Sequence, residues 1–281
     1  MDNRQSTIHE YKKDGSYVRS IGSQGQGPGE LMNPSQFDYD RLKNQLVVQD
    51  GNNGRYIWMD PDGKVLESIR REQQSSSFTF YDGHFYSVMT RMGDRKRRPD
   101  AGLIEDRDKQ GTLQNSFGSY YRSDLDLVEP ASRASLKVSG NKLYALSHFY
   151  PLLRVYSLDG RLEKTIEFDE LKDEYEDLVP GNYKWDEIFE ADNGMVRTKY
   201  LFKTFDVTDE GIFLSVFGDY LRVDHFSLDG DFLKRYSFPT DPDSRYHMVD
   251  MEIHQDHDGE TYLYTLDLYP IPQVRKFRTL K

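Results

Sequence analysis

One turn recurs along the chain at a nearly fixed interval, and it limits what the 281 residues can fold into. A run of strand-forming residues enters an Asp-Gly-like turn, and a second alternating run leaves it. The turns read Tyr11-Lys-Lys-Asp-Gly15, Asp60-Pro-Asp-Gly63, Asp108-Lys-Gln-Gly111, Tyr156-Ser-Leu-Asp-Gly160 and Phe226-Ser-Leu-Asp-Gly230. The marker glycines stand 48, 48, 49 and 70 residues apart. Glycine suits such a turn because it takes positive φ without a Cβ clash. The flanking runs alternate: Val65, Glu67 and Ile69 share one face, Leu66 and Ser68 the other, which is the period of a strand and not of a helix.

Two more strand-like runs precede each marker. They include Gln36–Tyr39 with Gln45–Asp50, Ser135–Val138 with Lys142–Leu146, Phe205–Val207 with Ile212–Val216, and Val249–Ile253 with Thr261–Leu266. Four antiparallel strands per 48 residues describe a β-propeller blade, so the expectation is an all-β chain forming a single propeller domain over residues 1–281. A β-sandwich rarely holds one period over such a length. The long interval carries about 22 extra residues within 168–198. There Asp169–Asp177 is acidic and fits one or two helical turns. The expected role is an excursion between blades that covers one face, with a lid or partner-docking loop as the alternative.

The two ends leave the closure open. The N-terminus supplies a third strand (Thr7–Tyr11) and a fourth (Tyr17–Ile21), and the C-terminus supplies a first three. Either five blades close with Tyr17–Ile21 as the final strand, or six blades form with two strands upstream of Met1. The six-bladed reading is preferred, because an orphan strand is an exposed edge.

The segment Ile21-Gly-Ser-Gln-Gly-Gln-Gly-Pro-Gly-Glu30, then Pro34 and Phe37, then Leu46–Asp50 and Asn53–Ile57, resembles the NHL-repeat signature. It is similar in particular to a six-bladed β-propeller family of bacterial secreted and lipid-anchored proteins. The sharp motif identity is confined to about residues 11–66. The resemblance implies a periplasmic or cell-surface location and no particular activity. Family members begin with a signal peptide, a lipobox cysteine and two more strands, whereas Met1–Glu10 here has neither a basic n-region nor an apolar h-region and the chain has no cysteine.

The formal charge of -11 disfavours a nucleic-acid partner, whose phosphates would be repelled. The absence of cysteine excludes disulfides and thiolate chemistry, and no apolar run is long enough for a spanning helix. The glycine cluster Gly22–Gly29 reads as a structural turn and not as a dinucleotide loop, since Pro28 and Pro34 bracket it and a strand follows. Glu30 is placed to cap backbone donors within it. Asp50–Arg55 (DGNNGR) joins two strands, and Asn52, Asn53 and Arg55 are candidates for a polar binding surface. Tyr150, Tyr183 and Trp185 lie at strand ends or in loops, where rings could stack on a sugar or peptide. The basic run Arg91–Arg98 reads as a solvated hairpin loop, or else as a contact for an acidic partner.

His254, Asp256, His257 and Asp258 form the densest ligand-capable stretch. A divalent metal could be held there, although Asp256–Gly259 reads more simply as a turn. No cofactor is otherwise implied. The expectation is a monomeric, non-catalytic binding or scaffold propeller that recognises a glycan, peptide or protein through rim loops or the axial funnel. The alternative is a metal-assisted hydrolase or lyase of the lactonase-like propeller type.

Overall fold

The computed structural model describes residues 1–2, 4–71, 75, 77–89, 102–120, 132–174, 189–190, 196–197, 201–216, 222–237, 248–256, 259–267 and 273–278. They fall into two compact units, Met1–Phe117 and Gly118–Lys281.

The first unit opens with an antiparallel hairpin of β1 (Ile8–Tyr11) and β2 (Tyr17–Ile21). A short parallel pair, β3 (Ser23–Gln24) and β4 (Glu30–Leu31), then closes the glycine-rich segment. An up-and-down sheet follows, made of β5 (Pro34–Asp40), β6 (Gln45–Asp50), β7 (Arg55–Met59) and β8 (Val65–Arg70). A second such sheet comprises β9 (Phe78–Tyr81), β10 (His84–Val88), β11 (Ile104–Asp108) and β12 (Leu113–Phe117).

The second unit repeats the pattern with β13 (Ala134–Ser139), β14 (Lys142–Ser147), β15 (Leu152–Ser157) and β16 (Leu162–Glu167). The excursion then begins with a short helix, α1 (Asp169–Asp173), and includes a small hairpin of β17 (Phe189–Glu190) and β18 (Val196–Arg197). A further four-stranded sheet contains β19 (Phe202–Thr208), β20 (Gly211–Val216), β21 (Arg222–Phe226) and β22 (Phe232–Ser237). The last sheet has three strands, β23 (Met248–Gln255), β24 (Thr261–Asp267) and β25 (Gln273–Arg278).

Every strand run expected from the sequence is therefore a strand, and the extra residues of the long interval begin at a helix as anticipated. The hairpin β1–β2 holds the third- and fourth-strand places of the repeat, and β23–β25 hold the first three.

Within each unit the core lies between consecutive sheets, because alternate residues of a strand go to opposite faces. Val48, Ile57 and Met59 pack against Ile8, Ile21 and Leu31, whereas Val47, Tyr56 and Trp58 pack against Phe78, Phe80 and Phe85. In the second unit Ile212, Leu214 and Phe226 join the preceding sheet, and Phe213 and Val223 join the last one. A sheet buried on both faces explains why second strands such as Ile212–Val216 read as continuous apolar runs.

The marker turn has one geometry throughout. Its first residue receives the fourth-position N–H and donates to the fifth-position carbonyl, as in Gly63 N to Asp60 O at 2.9 Å and Asp60 N to Lys64 O at 3.0 Å. In the four later copies a side-chain oxygen at the first position locks it, as where Asp60 Oδ1 accepts from Lys64 N at 2.9 Å and Ser157 Oγ from Arg161 N at 3.2 Å. In the first copy, which begins at Lys12, Asp14 Oδ1 accepts from Ser16 N at 2.9 Å. The glycine answers two demands at once. Gly63 has φ of +84°, and a Cβ there would lie 2.6 Å from Ile21 Cγ2; at Gly230, with φ of +99°, it would lie 2.4 Å from Ile166 Cγ2. The turn of one sheet thus presses on the fourth-place strand of the sheet before it.

First strands meet first strands, through side chains. Gln36 in β5 both donates to Phe78 O (2.8 Å) and accepts from Phe78 N (3.0 Å), and Asp38 Oδ2 accepts from Thr79 Oγ1 (2.7 Å) and Phe80 N (2.9 Å). In the second unit Asp206 Oδ2 of β19 accepts from Ile253 N of β23 at 2.7 Å. An ionic group ties the excursion down: Glu174, at the C-cap of α1, pairs with Arg222 and Arg235 (2.8 Å each), and both arginines engage the fully buried Asp224. Asp38→Ala should lower stability by about 2–3 kcal/mol, because a buried N–H and a hydroxyl lose a charged acceptor. Urea denaturation should show a lower midpoint with an unchanged slope, and Asp38→Asn should recover part of the loss.

Candidate functional site

A cleft of about 430 Å³, counted out to its open mouth, lies in the first unit between the sheets β5–β8 and β9–β12. Ile69, Phe85 and Met89 supply its apolar wall, and Tyr56, Ser75, Ser87, Glu105 and three arginines supply its polar groups. The backbone brings these together simply. Tyr56 is the second residue of β7, Arg70 ends β8, Ser87 lies on β10, and Glu105 and Arg107 share one face of β11.

The Tyr56 ring is held 4.5 Å from the ring of Phe85 and is 7 % exposed. Its hydroxyl lies 3.5 Å from Ser75 Oγ, which itself donates to Gln49 Oε1 at 3.2 Å. Burial pushes the Tyr56 hydroxyl above the ordinary phenol range, against the pull of Ser75, Arg71 and Arg107, so it stays a proton donor at neutral pH.

The arginines differ in what they already hold. Arg107 donates from Nε to the buried Glu105 at 3.0 Å and from Nη1 to Gly111 O at 2.6 Å. Arg71 donates its backbone N–H to Gly54 O at 2.7 Å, and its guanidinium makes one long contact, Nη2 to Gly51 O at 3.3 Å. Arg70 is exposed and stands in register with Arg55. Among the described residues neither Arg70 nor Arg71 forms an ion pair with a carboxylate.

The sequence-predicted residues of DGNNGR do not line this cleft. Asn53 Nδ2 donates to Gly25 O (3.0 Å) and Asp50 Oδ2 (2.7 Å); Arg55 donates to Asp50 Oδ2 (2.9 Å), Gly27 O (3.1 Å) and Glu30 O (2.8 Å). Both therefore clamp the glycine-rich loop, where Glu30 Oε2 also accepts from Gly27 N at 2.7 Å, as expected for a cap. Asn52 is exposed at the tip of the turn. Tyr150, expected to offer a ring, is 6 % exposed: Ser147 Oγ accepts its backbone N–H at 3.1 Å and the side chain turns into the interior.

His254 is exposed on β23, its ring 6.5 Å from Tyr264, and Asp256 opens the following turn, which does close as Gly259 N to Asp256 O at 2.9 Å. Tyr183, Trp185, His257, Asp258 and the basic run 91–98 lie outside the described residues. Among the described residues no group of three His, Asp or Glu side chains could hold a metal.

A second polar constellation lies in the second unit, where β13, β19 and β23 adjoin. Lys137 Nζ is 2.9 Å from Asp206 and 2.8 Å from Glu252, while Thr204 Oγ1 donates to Asp250 at 2.9 Å. Burial opposes the charge on Lys137, but the two carboxylates more than reverse this and hold its pKa above the ordinary lysine range; burial pushes Asp206 upward despite Lys137. These charges satisfy one another, which is the pattern of a cross-link between strands. Neither constellation has a signal in the sequence beyond the adjacent Arg70-Arg71 pair, because each is assembled from several strands that only the fold brings together.

Residues 1–210 match the model of a protein family described as 6-bladed beta-propeller. The chain belongs to that family. Its four-stranded antiparallel sheets are propeller blades, four of them complete among the described residues. A comparison with curated proteins finds no match. Among solved structures, the propeller is similar to a protein of Bacteroides fragilis described as exported, at 15 % identity and a TM-score of 0.59, covering 95 % of this chain and 75 % of that one. A member of the DUF4221 family from Bacteroides vulgatus aligns at 8 % identity and a TM-score of 0.56, covering 97 % and 86 %. Virginiamycin B lyase from Staphylococcus aureus aligns at 8 % identity and a TM-score of 0.51, covering 99 % and 79 %. Identities this low speak to the fold alone.

His148 gives a pH test of the same blades. Burial, helped by Arg133, lowers its pKa to about 4, and its Nε2 lies 2.8 Å from Ser135 Oγ. The unfolded chain takes up a proton near pH 6.5 that the folded chain refuses until about pH 4, so stability falls as pH drops through that window and levels off below it. The contribution is about 3 kcal/mol. Denaturation curves between pH 7 and 4 should show His148→Gln losing this part of the acid sensitivity.

Proposed function

We propose that the protein is a non-catalytic binding or scaffold propeller working outside the cytoplasm, and that it takes its ligand in the cleft beside Tyr56 and Arg71. The observation that carries the reading is the Arg71 guanidinium, which lines the cleft without a carboxylate partner among the described residues, with Arg70 adding charge beside it. Unspent donors above an apolar wall are what a small-ligand site provides. The lining supports binding better than turnover. Among the described residues it holds no histidine, the Tyr56 proton is retained, the Ser75 hydroxyl is committed to an amide oxygen, and Glu105, the cross-strand partner of Ser87, already pairs with Arg107. Likeness to the exported Bacteroides fragilis protein supports the extracytoplasmic setting.

A thermal-shift screen against glycans and short peptides tests this. A ligand at a hundred times its Kd should stabilise the native chain by about 2.7 kcal/mol. Tyr56→Phe should weaken that gain and Arg71→Ala should abolish it. Shifts that persist in Arg71→Ala would place the ligand elsewhere, and a screen without any hit would remove the support for binding.

A further inference from the structure

We propose that the cleft selects a small ligand carrying an oxyanion, gripped by Arg71 and oriented by the Tyr56 hydroxyl. This rests on the cleft being the ligand site.

The charge at this end of the sheets is unbalanced. Arg55 is matched by Asp50 and Arg107 by Glu105, each through its Nε, at 2.9 and 3.0 Å respectively. Arg70 and Arg71 are then left over, in a chain whose overall charge is -11. Arg70 stands beside Arg71 but opposite Arg55 in the register, on the face turned to the glycine-rich loop, so it adds positive charge next to the cleft while Arg71 supplies the donors within it.

The geometry suits an oxyanion in particular. The Arg71 backbone is fixed by its 2.7 Å bond to Gly54 O, and its side chain spends only Nη2, on a contact of 3.3 Å to Gly51 O. The remaining N–H groups of a planar guanidinium can engage two oxygens of one ligand group in parallel. Arg107 is pinned twice and serves as a fixed wall of positive charge. Tyr56, which keeps its proton, contributes a neutral donor at the inner side, and Ser87 is buried beside it. Ile69 and Phe85 leave an apolar surface against which the rest of a small ligand can lie in the open mouth of the cleft.

Titration calorimetry with D-glucuronate against D-glucose isolates the charge, since the two differ by one carboxylate. Inorganic phosphate and sulfate form further arms. The expected result is binding of glucuronate with little or none of glucose, an affinity that falls as salt is raised, and at least a tenfold weakening in Arg71→Gln. Arg70→Gln, at an exposed strand end beside the cleft, should weaken binding less than Arg71→Gln while leaving Tm unchanged, and Arg161→Gln on a marker turn of the second unit should do nothing. Phosphate or sulfate binding with the same dependence on Arg71, in place of glucuronate, would support the oxyanion and assign it a tetrahedral source.

Glucose binding as tightly as glucuronate, with both lost in Arg71→Gln, would overturn the selection for charge while leaving the cleft as the ligand site. Failure of all three anions to show any dependence on Arg71 would overturn the inference. If the glycan and peptide hits were equally indifferent to Arg71, the cleft itself would fall as well.

Discussion

The bond from a first-strand carboxylate to the backbone of the next first strand is the contact on which the arrangement of sheets within each unit depends. A first strand has a ladder partner on one side only, and its other N–H groups must be satisfied when the next sheet covers them. Asp38 does this for Phe80 and Asp206 does it for Ile253. Both acids stand two residues before the last hairpin pair of their strand, as the registers of β5 with β6 and of β19 with β20 show. Lys137 holds the same place in β13 and reverses the polarity, donating to Asp206 on the neighbouring first strand. Face-to-face packing of apolar residues then supplies most of the adhesion between sheets, at about 1.5–3 kcal/mol for each large side chain fully buried. The carboxylates decide the offset at which that packing takes place.

The architecture was legible in the sequence because its grammar is local. The marker turn needs only five residues with a glycine at the fourth, joined in the four later copies by a side-chain acceptor at the first, so its period survives in the text of the chain. The same grammar appears at Asp256–Glu260, between a first and a second strand, which shows that the turn is indifferent to its place in the blade. The site was not legible for the converse reason. Asn53 and Arg55 look like a polar surface, yet they answer to Gly25 and Gly27 nearly thirty residues earlier. Arg71 lies just beyond β8 and acquires meaning only through Tyr56 on one sheet and Arg107 on the next. Tyr150 precedes a proline and so reads as surface loop, but its neighbours draw it inside.

The excursion after β16 shows what a departure from the period requires. A helix of five residues has little stability of its own. It is held by Leu171, buried against the cores of two sheets, and by Glu174, which completes the charges of Arg222 and Arg235 around Asp224. Arg222 is 3 % exposed and Asp224 not at all, so removing Arg222 would leave the buried Asp224 with Arg235 alone, and removing Asp224 would leave the buried Arg222 with Glu174 alone. The inserted segment therefore depends on the blade that follows it.

The hairpins that carry the marker turns share a final detail. The register slips at the same place in all five, between Glu10 and Tyr11, Trp58 and Met59, Asp106 and Arg107, Val155 and Tyr156, and His225 and Phe226. A bulge bends its strand and sharpens the local twist. A chain built from repeats of one β-unit risks exchanging equivalent strands during folding, or stacking its outer edges with those of another molecule. A kink at a fixed point in each outer hairpin makes those edges poor templates for a straight incoming strand. The feature that makes the repeat recognisable is thus also one that guards it against its own repetitiveness.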